Sequence, residues 1–206
     1  MNHYSFIMNI MQNKHISVVV ATMLSVVMLS FGVTAFAETE GPTHHFKFDE
    51  GGGRSAGDMG GANGAFVGSS TDFGWASGKI GTALAMDGVG EQGVALPNEF
   101  LVGGEGTLAV WIKMNELSER HILFSARSTT DRNVYMLLAV DRDGRPYLQF
   151  RDRADGNDRK AQGVYLIPQN EWVHLVFAAN GVGYRMYVNG IALDIAGITL
   201  DDGSRT

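Results

Sequence analysis

Apolar and polar residues alternate with a period of two along most of the chain after residue 38, which is typical of β-strands. In residues 107–113 (TLAVWIK), Leu108, Val110 and Ile112 make one side fully apolar, while the other side is mixed. A strand of this kind belongs in the centre of a two-sheet sandwich, with its apolar side against the opposite sheet. Short segments, several of them bounded by Gly or Asp-Gly, predict further strands at 44–48, 65–67, 82–86, 93–96, 121–125 and 134–140.

Turn signals separate these segments. Asp143-Gly144 lies between VYMLLAVD and RPYLQF, Asn189-Gly190 lies between YRMYV and IALDI, and Asn180-Gly181 opens the connection into YRMYV. Asn-Gly and Asp-Gly supply the positive φ angles that tight hairpins need. No stretch after residue 37 has helical periodicity over three turns, and 115–120 offers one short helical turn at most. We therefore predict one all-β antiparallel domain, a sandwich rather than a barrel.

The first 37 residues have the pattern of a secretory signal peptide. Lys14, with no acidic residue, precedes an almost wholly apolar run at 16–31, and Ala35-Phe36-Ala37 places small residues where a signal peptidase cleaves. The alternative is an uncleaved membrane anchor, for which the run is slightly shorter than the roughly 20 residues that span a bilayer. We expect export, cleavage after Ala37, and a domain at 38–206 that is secreted or held at the cell surface, outside the membrane.

The amino-acid composition limits the kinds of partner that the domain is expected to bind. The chain has no cysteine, so an exported domain must rely on its apolar core rather than on disulfides. Its net charge is −6, and the first 37 residues contribute only Lys14, so residues 38–206 are acidic. Binding to nucleic acid or to anionic membranes through bulk charge is therefore not expected.

Charged residues are concentrated in one part of the chain. Eight of the eleven arginines lie between Arg120 and Arg159 and alternate with aspartates. Without net positive charge, this pattern predicts a solvated, salt-bridged face, although a polyanionic sugar stays open as a ligand. Residues 151–160 (RDRADGNDRK) are predicted to form a charged loop.

Five segments in order carry a family resemblance. They are HFKFDEGGGRSAGDMGGANGAFVG from His45, WASGKIGTALAMDG from Trp75, the strand at 107–113, the segment WVHLVF at 172–177 and the hairpin YVNG at 187–190. Together they resemble the laminin G-like jelly rolls of the concanavalin A-like lectin/glucanase superfamily, over about residues 44–195. The resemblance implies an all-β, two-sheet antiparallel jelly-roll sandwich.

The chain departs from the family at its end. The resemblance implies a final strand of the type Gly-x-Ile-Asp-x-Val-x-apolar-Tyr that pairs near the first strand, but the chain ends at Thr206 without it. A sandwich that lacks this strand exposes an edge. The laminin G-like domain at 38–206 is therefore expected to be truncated at its C-terminus and to belong to a longer protein.

No constellation of a known enzyme class is visible in the sequence. The Glu-x-Asp-x-x-Glu strand of the related glucanases is absent, as are Gly-x-Ser-x-Gly and His-Glu-x-x-His. The resemblance then implies a non-catalytic recognition module of an exported bacterial protein, with a glycan as the first expected partner. Two alternatives remain open: an adhesive or structural module that binds a cell-surface protein, and an accessory domain of a secreted glycan-degrading enzyme.

A structural calcium ion is a further implication of the resemblance. Calcium takes six to eight oxygen ligands, and the loop at 58–63 offers Asp58 and Asn63, which are the candidate ligands. The alternative is a plain Gly-rich turn. The neighbouring His44 and His45 would point to opposite faces of a strand, which argues against a shared metal.

The tryptophans give no evidence of a sugar platform. Trp111 and Trp172 lie in strong strands and are predicted to be core residues, and in the family the position of Trp75 is usually packed. Four tyrosines at 135, 147, 165 and 184 are the remaining aromatics that combine a ring with a polar end.

Overall fold

A computed structural model describes residues 4–11, 16–19, 42–61, 63–68, 73–88, 91–96, 105–128, 131, 134–151, 158–180, 184–193 and 195–199. These residues form sixteen β-strands and no helix. Accordingly, none of the described ranges contains a helix with the length and apolar character needed to cross a membrane.

In chain order the strands are β1 (Tyr4–Met11), β2 (Ile16–Val19), β3 (Ser55–Ala56), β4 (Gly64–Val67), β5 (Phe73–Ser77), β6 (Thr82–Met86), β7 (Glu91–Leu96), β8 (Glu105–Met114), β9 (His121–Ser128), β10 (Tyr135–Val140), β11 (Pro146–Arg151), β12 (Asp158–Gly163), β13 (Trp172–Asn180), β14 (Tyr184–Val188), β15 (Ile191–Ala192) and β16 (Ile195–Thr199). One sheet has nine strands in the order β16-β12-β11-β10-β9-β1-β7-β4-β3. The other has seven in the order β15-β14-β13-β8-β2-β6-β5. All the pairings between strands are antiparallel, as predicted for a jelly-roll sandwich.

The core lies between the two sheets and follows the predicted alternation. In β8, Val110, Ile112 and Met114 are buried, and β13 pairs with β8 along its whole length and buries Val173, Leu175 and Phe177. The nine-stranded sheet contributes a facing set of buried residues: Leu96, Leu123, Phe124, Leu138, Val140 and Leu148. Removal of these apolar side chains from water is the main favourable term in the folding of such a domain.

A β-bulge lets β9 bury two consecutive residues. The register between β9 and β10 shifts between Leu138 and Ala139, so that Leu138 pairs with Phe124 and Ala139 pairs with Ile122. The extra residue is Leu123, which is buried together with Phe124. A bulge re-aims side chains in this way and increases the local twist of the strand.

Two of the segments that carry the family resemblance are joined by hydrogen bonds between Asp49, Thr82 and Phe48, which are called the clip below. The Asp49 carboxylate accepts a hydrogen bond from the Thr82 backbone N–H (2.9 Å), and the Thr82 hydroxyl donates to the Phe48 carbonyl (2.6 Å). Phe48 has a φ of 56°, which turns the chain. Gly81 has a φ of 61°, and a Cβ at this position would collide with the Asp49 carboxylate. The Phe-Asp-Glu-Gly segment and the Gly-x-Ala-Leu strand are thus held together by the residues that define them.

Most of the predicted strands and hairpins are confirmed. The segment at 82–86 is β6 as predicted, and Asn189-Gly190 joins β14 to β15 with both φ angles positive. Asp143-Gly144 joins β10 to β11, and Gly144 donates from its N–H to the Asp141 carbonyl (2.8 Å). The Asn180-Gly181 turn lies partly outside the described residues.

Three local predictions are wrong. The expected strand at 44–48 is reduced to a single bridge between Phe46 and Asp58, because the chain turns at Phe48. The expected charged loop at 151–160 is wrong at its two ends, because Arg151 is the last residue of β11 and 158–160 begin β12; residues 152–157 lie outside the described residues. The possible helical turn at 115–120 is a non-helical bend.

The predicted signal peptide overlaps two strands. Within residues 1–37, β1 pairs with β7 and β9, and β2 pairs with β6 and β8. Cleavage after Ala37 and the boundary of the domain at residue 38 stay predictions. The expected truncation of the domain at its C-terminus also stays a prediction, because residues 200–206 lie outside the described ranges.

We expect Leu148→Ala to lower the free energy of unfolding by about 2–5 kcal/mol, because Leu148 is fully buried between the sheets. The matched control is Leu166→Ala, since Leu166 is 57% exposed and its truncation should change stability by roughly 0.5 kcal/mol or less. Denaturant titration of the two variants measures the difference. Equal effects would contradict the placement of the core.

Candidate functional site

The outer face of the nine-stranded sheet carries a polar network on β10, β11 and β12. In β11, Leu148 is buried in the core, so the alternate residues Tyr147, Gln149 and Arg151 lie on the opposite face. The register pairs Arg151 with Tyr135 on one side and with Asp158 on the other. Residues far apart in sequence therefore stand side by side across three strands.

Four side chains form the centre of this network. The Tyr135 hydroxyl donates to Asp158 Oδ1 (2.5 Å), and Arg151 Nε donates to the same oxygen (2.8 Å). Gln149 Nε2 donates to the Tyr135 hydroxyl (2.9 Å). The Arg151 guanidinium carbon lies 5.6 Å from the centroid of the Tyr135 ring, within the range of a cation–π contact. Tyr135, Gln149, Arg151 and Asp158 are called the Tyr135 network below.

A second cluster continues the same face around Tyr147. Lys160 Nζ donates to Asp141 Oδ2 (2.7 Å) and lies 4.1 Å from the centroid of the Tyr147 ring. Arg120 Nη1 is 3.5 Å from the Tyr147 hydroxyl. These long side chains cover Tyr147, which is only 1% exposed although it lies on the outer face. The Tyr147 cluster is thus a closed neighbour of the more open Tyr135 network.

The hydrogen bonds fix the charge states of the network. Burial acts to raise the pKa of Asp158, but the hydrogen bonds from Tyr135 and Arg151 outweigh it and hold that pKa below its usual value. Burial and the bond to Asp158 raise the pKa of Tyr135. For Asp141, burial is likewise outweighed by Lys160 and by the Arg142 N–H, so its pKa is lowered. At neutral pH the face therefore presents ionised carboxylates, paired cations and a protonated tyrosine hydroxyl.

The predicted salt-bridged face is confirmed for part of the arginine cluster. Arg142 pairs with Glu119 (3.2 Å) and Arg145 pairs with Asp143 (3.5 Å), in addition to the Arg151–Asp158 and Lys160–Asp141 pairs. The Tyr135 network itself was not predicted. The alternation Tyr147, Gln149, Arg151 was visible in the sequence, but the partners on β10 and β12 depend on a register that the sequence does not display.

The structure joins the two predicted calcium ligands through one hydrogen bond. Asn63 Oδ1 accepts from the Asp58 backbone N–H (3.0 Å). The Asp58 carboxylate accepts from the His45 backbone N–H through Oδ1 (2.6 Å) and contacts His44 Nδ1 through Oδ2 (2.7 Å). The His45 ring points elsewhere, with Nδ1 3.2 Å from Met59 Sδ.

These hydrogen bonds do not by themselves form a calcium site. Both carboxylate oxygens of Asp58 and the amide oxygen of Asn63 face nitrogen groups, whereas calcium needs six to eight oxygens directed at one point. Within the ranges that the structure describes, no three His, Cys, Asp or Glu residues are grouped to hold a metal ion. The calcium site remains a prediction from resemblance.

The outer face of the seven-stranded sheet carries Trp111 and Trp172. Trp111 and Trp172 are half-buried, and the core positions of their strands are taken by the alternate residues. Trp111 pairs with His174, with ring centroids 4.9 Å apart, and Lys79 Nζ lies 5.2 Å from the Trp111 ring. The prediction of two core tryptophans is therefore wrong. Trp75 is also half-buried and packs against the core, with its ring 6.1 Å from Phe66.

Comparison with known proteins identifies the family. A laminin G family model, described as the concanavalin A-like lectin/glucanases superfamily, matches residues 87–201, which is more than half of the chain. The chain belongs to this superfamily. The laminin G-like assignment from the sequence motifs is thereby confirmed. Because the superfamily includes both lectins and glucanases, membership fits a binding module and does not by itself exclude hydrolysis.

A solved structure shares the fold. The crystal structure of an S-layer domain-containing protein (residues 221–444) from Clostridium thermocellum is 18% identical, with a TM-score of 0.52. The similarity covers 80% of this chain and 79% of that chain. At this identity the likeness concerns the fold alone. No curated protein matches the chain.

We expect His121 to make the stability of this laminin G-like domain sensitive to acid. It is fully buried, and neither ring nitrogen makes a hydrogen bond of good geometry to another described residue, although the Glu116 backbone lies near the ring. Burial lowers its pKa, while Glu116 and Glu119 act in the opposite direction. Stability from the neutral ring is present above the unfolded pKa of about 6.5 and is lost as the pH falls from there through the folded pKa.

In the unaltered protein, the free energy of unfolding should decrease as the pH falls below about 6.5. We expect His121→Leu to make this decrease less steep, by up to about 1.4 kcal/mol per pH unit. Denaturant titrations at pH 5.5 and 7.5 measure this difference. His174→Leu is the comparison, because His174 is half-buried and its pKa is lowered by burial alone. His174→Leu should change the pH dependence of the unfolding free energy less than His121→Leu does. A His121→Leu profile identical to that of the unaltered protein would contradict this prediction.

Calcium binding is tested by thermal melting. If Asp58 and Asn63 bind calcium in the folded state only, calcium at 100 times its dissociation constant should stabilise the domain by about 2.7 kcal/mol, and a chelator should remove this effect. Asp58→Asn should abolish the calcium response, whereas Asp143→Asn, in a hairpin turn, should keep it. A melting temperature indifferent to calcium and chelator would refute the prediction.

Proposed function

We propose that this domain is a non-catalytic recognition module of an exported bacterial protein, and that it binds glycans on the outer face of the nine-stranded sheet. The Tyr135 network is the observation that carries the proposal. It combines an aromatic ring, an amide, a guanidinium and a carboxylate on a rigid sheet, which is the set of groups that orients a sugar in protein sites. The superfamily membership supports a binding module at this coarse level.

The network remains open to solvent. The side chains of Arg151 and Asp158 are 29% and 37% exposed, so their remaining hydrogen-bonding capacity can be reached from outside. Sugar hydroxyls both donate and accept hydrogen bonds, and they therefore match a surface that offers both kinds of group side by side. The existing hydrogen bonds hold these side chains in place before a ligand arrives, which lowers the entropy cost of binding.

The charges favour a neutral glycan over a polyanionic one. Arg151 is paired with Asp158, and Lys160 is paired with Asp141. A polyanion would have to compete with these carboxylates for the same cations. Hydroxyl groups of a neutral sugar can instead bind at the free positions of each pair without breaking it.

A glycan array with the full chain tests this function, followed by affinity measurements on the strongest ligand. Tyr135→Phe keeps the ring but removes the hydroxyl that joins Gln149 to Asp158, and we expect the affinity to fall about tenfold or more, since hydrogen bonds to charged groups contribute roughly 1.5–3 kcal/mol. The matched control is Tyr187→Phe on β14 of the other sheet, which should bind like the unaltered protein. Absence of binding to any neutral or acidic glycan would eliminate the proposal.

Location at the cell surface is part of the same proposal. The predicted signal peptide supports export, and the similar fold in a protein whose name includes an S-layer domain is compatible with a surface setting. Fractionation of the producing cells with an antibody against the domain checks the location.

A protein-binding role is the second candidate. Val164, Tyr165 and Leu166 are consecutive and are 49%, 37% and 57% exposed, between β12 and β13. Adjacent exposed apolar residues of this kind often mark contacts with another protein. If the array is negative, capture of a surface protein by the unaltered chain but not by a Leu166→Ser variant would favour this role. An accessory role beside a glycan-degrading enzyme requires a catalytic domain elsewhere in the same protein.

A further inference from the structure

The N-terminal strands β1 and β2 each fill an interior position, β1 in the nine-stranded sheet and β2 in the seven-stranded sheet. In the nine-stranded sheet, β1 pairs with β7 from Phe6 to Met11 and with β9 from Tyr4 to Phe6. In the seven-stranded sheet, β2 pairs with β6 from Ile16 to Val18 and with β8 from Ile16 to Val19. Both are interior strands, with a neighbour on each side.

No other strand of the described chain takes these positions. The strands β7 and β9 are both bonded to β1 and not to each other, and β6 and β8 are related in the same way through β2. Adjacent strands lie about 4.8 Å apart, so removal of β1 and β2 would leave a gap of about 10 Å in each sheet. Backbone N–H and C=O groups on both sides of each gap would lose their partners.

The gaps would open directly onto the core. The register partners of β1 include Val94, Leu96 and Ala126, and the partners of β2 include Leu84 and Ile112. All five are buried. Loss of the two strands would therefore expose both the sheet backbone and the apolar layer between the sheets, which is a large cost for one domain.

The same residues lie within the predicted export signal. An extended segment cannot pair within two sheets and occupy a translocation channel at the same time. Folding and export consequently compete for residues 4–19, and a folded domain hides its own signal.

We propose that residues 4–19 complete both sheets of the domain from within the same chain and stay bound to it even after the connection at 20–41 is cut. In protein that folds before export, the segment is then a lasting part of the domain, like an inserted strand pair, and the partner that the two interior positions accept is this chain's own N-terminal segment. Backbone pairing holds it at both positions, as in other cases where an extended segment is added to a sheet.

A cleavage experiment on the full chain tests retention. A single protease site is inserted between residues 38 and 39, the protein is produced without export so that its N-terminus is kept, and the purified monomer is cleaved. We expect the N-terminal fragment to co-elute with the remainder on size exclusion at the monomer mass and to separate only in denaturant. Release of the fragment under native conditions, or elution at the dimer mass with exchanged segments, overturns the proposal.

A proline pair tests the pairing itself. Ser17 pairs with Ala85 on one side and with Lys113 on the other, so its N–H faces a neighbouring strand. Proline at an interior strand position removes a ladder hydrogen bond, and we expect Ser17→Pro to lower the melting temperature by about 6–12 °C. Ser17→Ala, which keeps the backbone N–H, is the matched control and should melt close to the unaltered protein. Equal melting of Ser17→Pro and the unaltered protein overturns the proposal.

Discussion

The shared apolar layer between the two sheets is the constraint from which the other features follow. Each strand that borders this layer must present one complete row of apolar residues to it, as Val110, Ile112 and Met114 do in β8. Because side chains alternate along a strand, the inner row determines which residues face outward. Leu148 in the core thus sends Gln149 and Arg151 to the surface, where the Tyr135 network forms.

Much of the fold could be predicted from this alternation, since it is a local property of the sequence. The strand at 107–113 and the hairpins at Asp143-Gly144 and Asn189-Gly190 rest on period and turn chemistry alone. For Trp111, the prediction of a core residue did not follow this alternation. Its place in a strong strand suggested a core residue, but its position between Val110 and Ile112 already placed it on the outer face.

The candidate site was less predictable for a physical reason. Tyr135, Arg151 and Asp158 meet because three strands pair in one register, and the β9–β10 bulge shows that such registers can shift within one hairpin. The sequence of a single strand does not contain this information. Similarly, Asp58 and Asn63 were chosen as oxygen donors on one loop, but the contacts of Asp58 with His44 and His45 depend on how the chain turns before Phe48.

The N-terminal residues illustrate a different ambiguity. A mostly apolar run such as Ile16-Ser17-Val18-Val19 fits a signal peptide and an interior strand equally well, because both environments exclude water and neither requires alternation. Sequence pattern alone therefore could not distinguish the two roles for residues 16–19.

The clip between Asp49, Gly81 and Thr82 constrains how these positions can change in evolution. A side chain at position 81 would collide with the Asp49 carboxylate, and loss of that carboxylate would leave the Thr82 N–H without its acceptor. Neither position can change freely while the other stays the same. In descendants and in chimeric proteins, the loop after Phe48 and the strand that begins at Thr82 should therefore be transferred together, as one unit of variation made from two distant pieces of sequence.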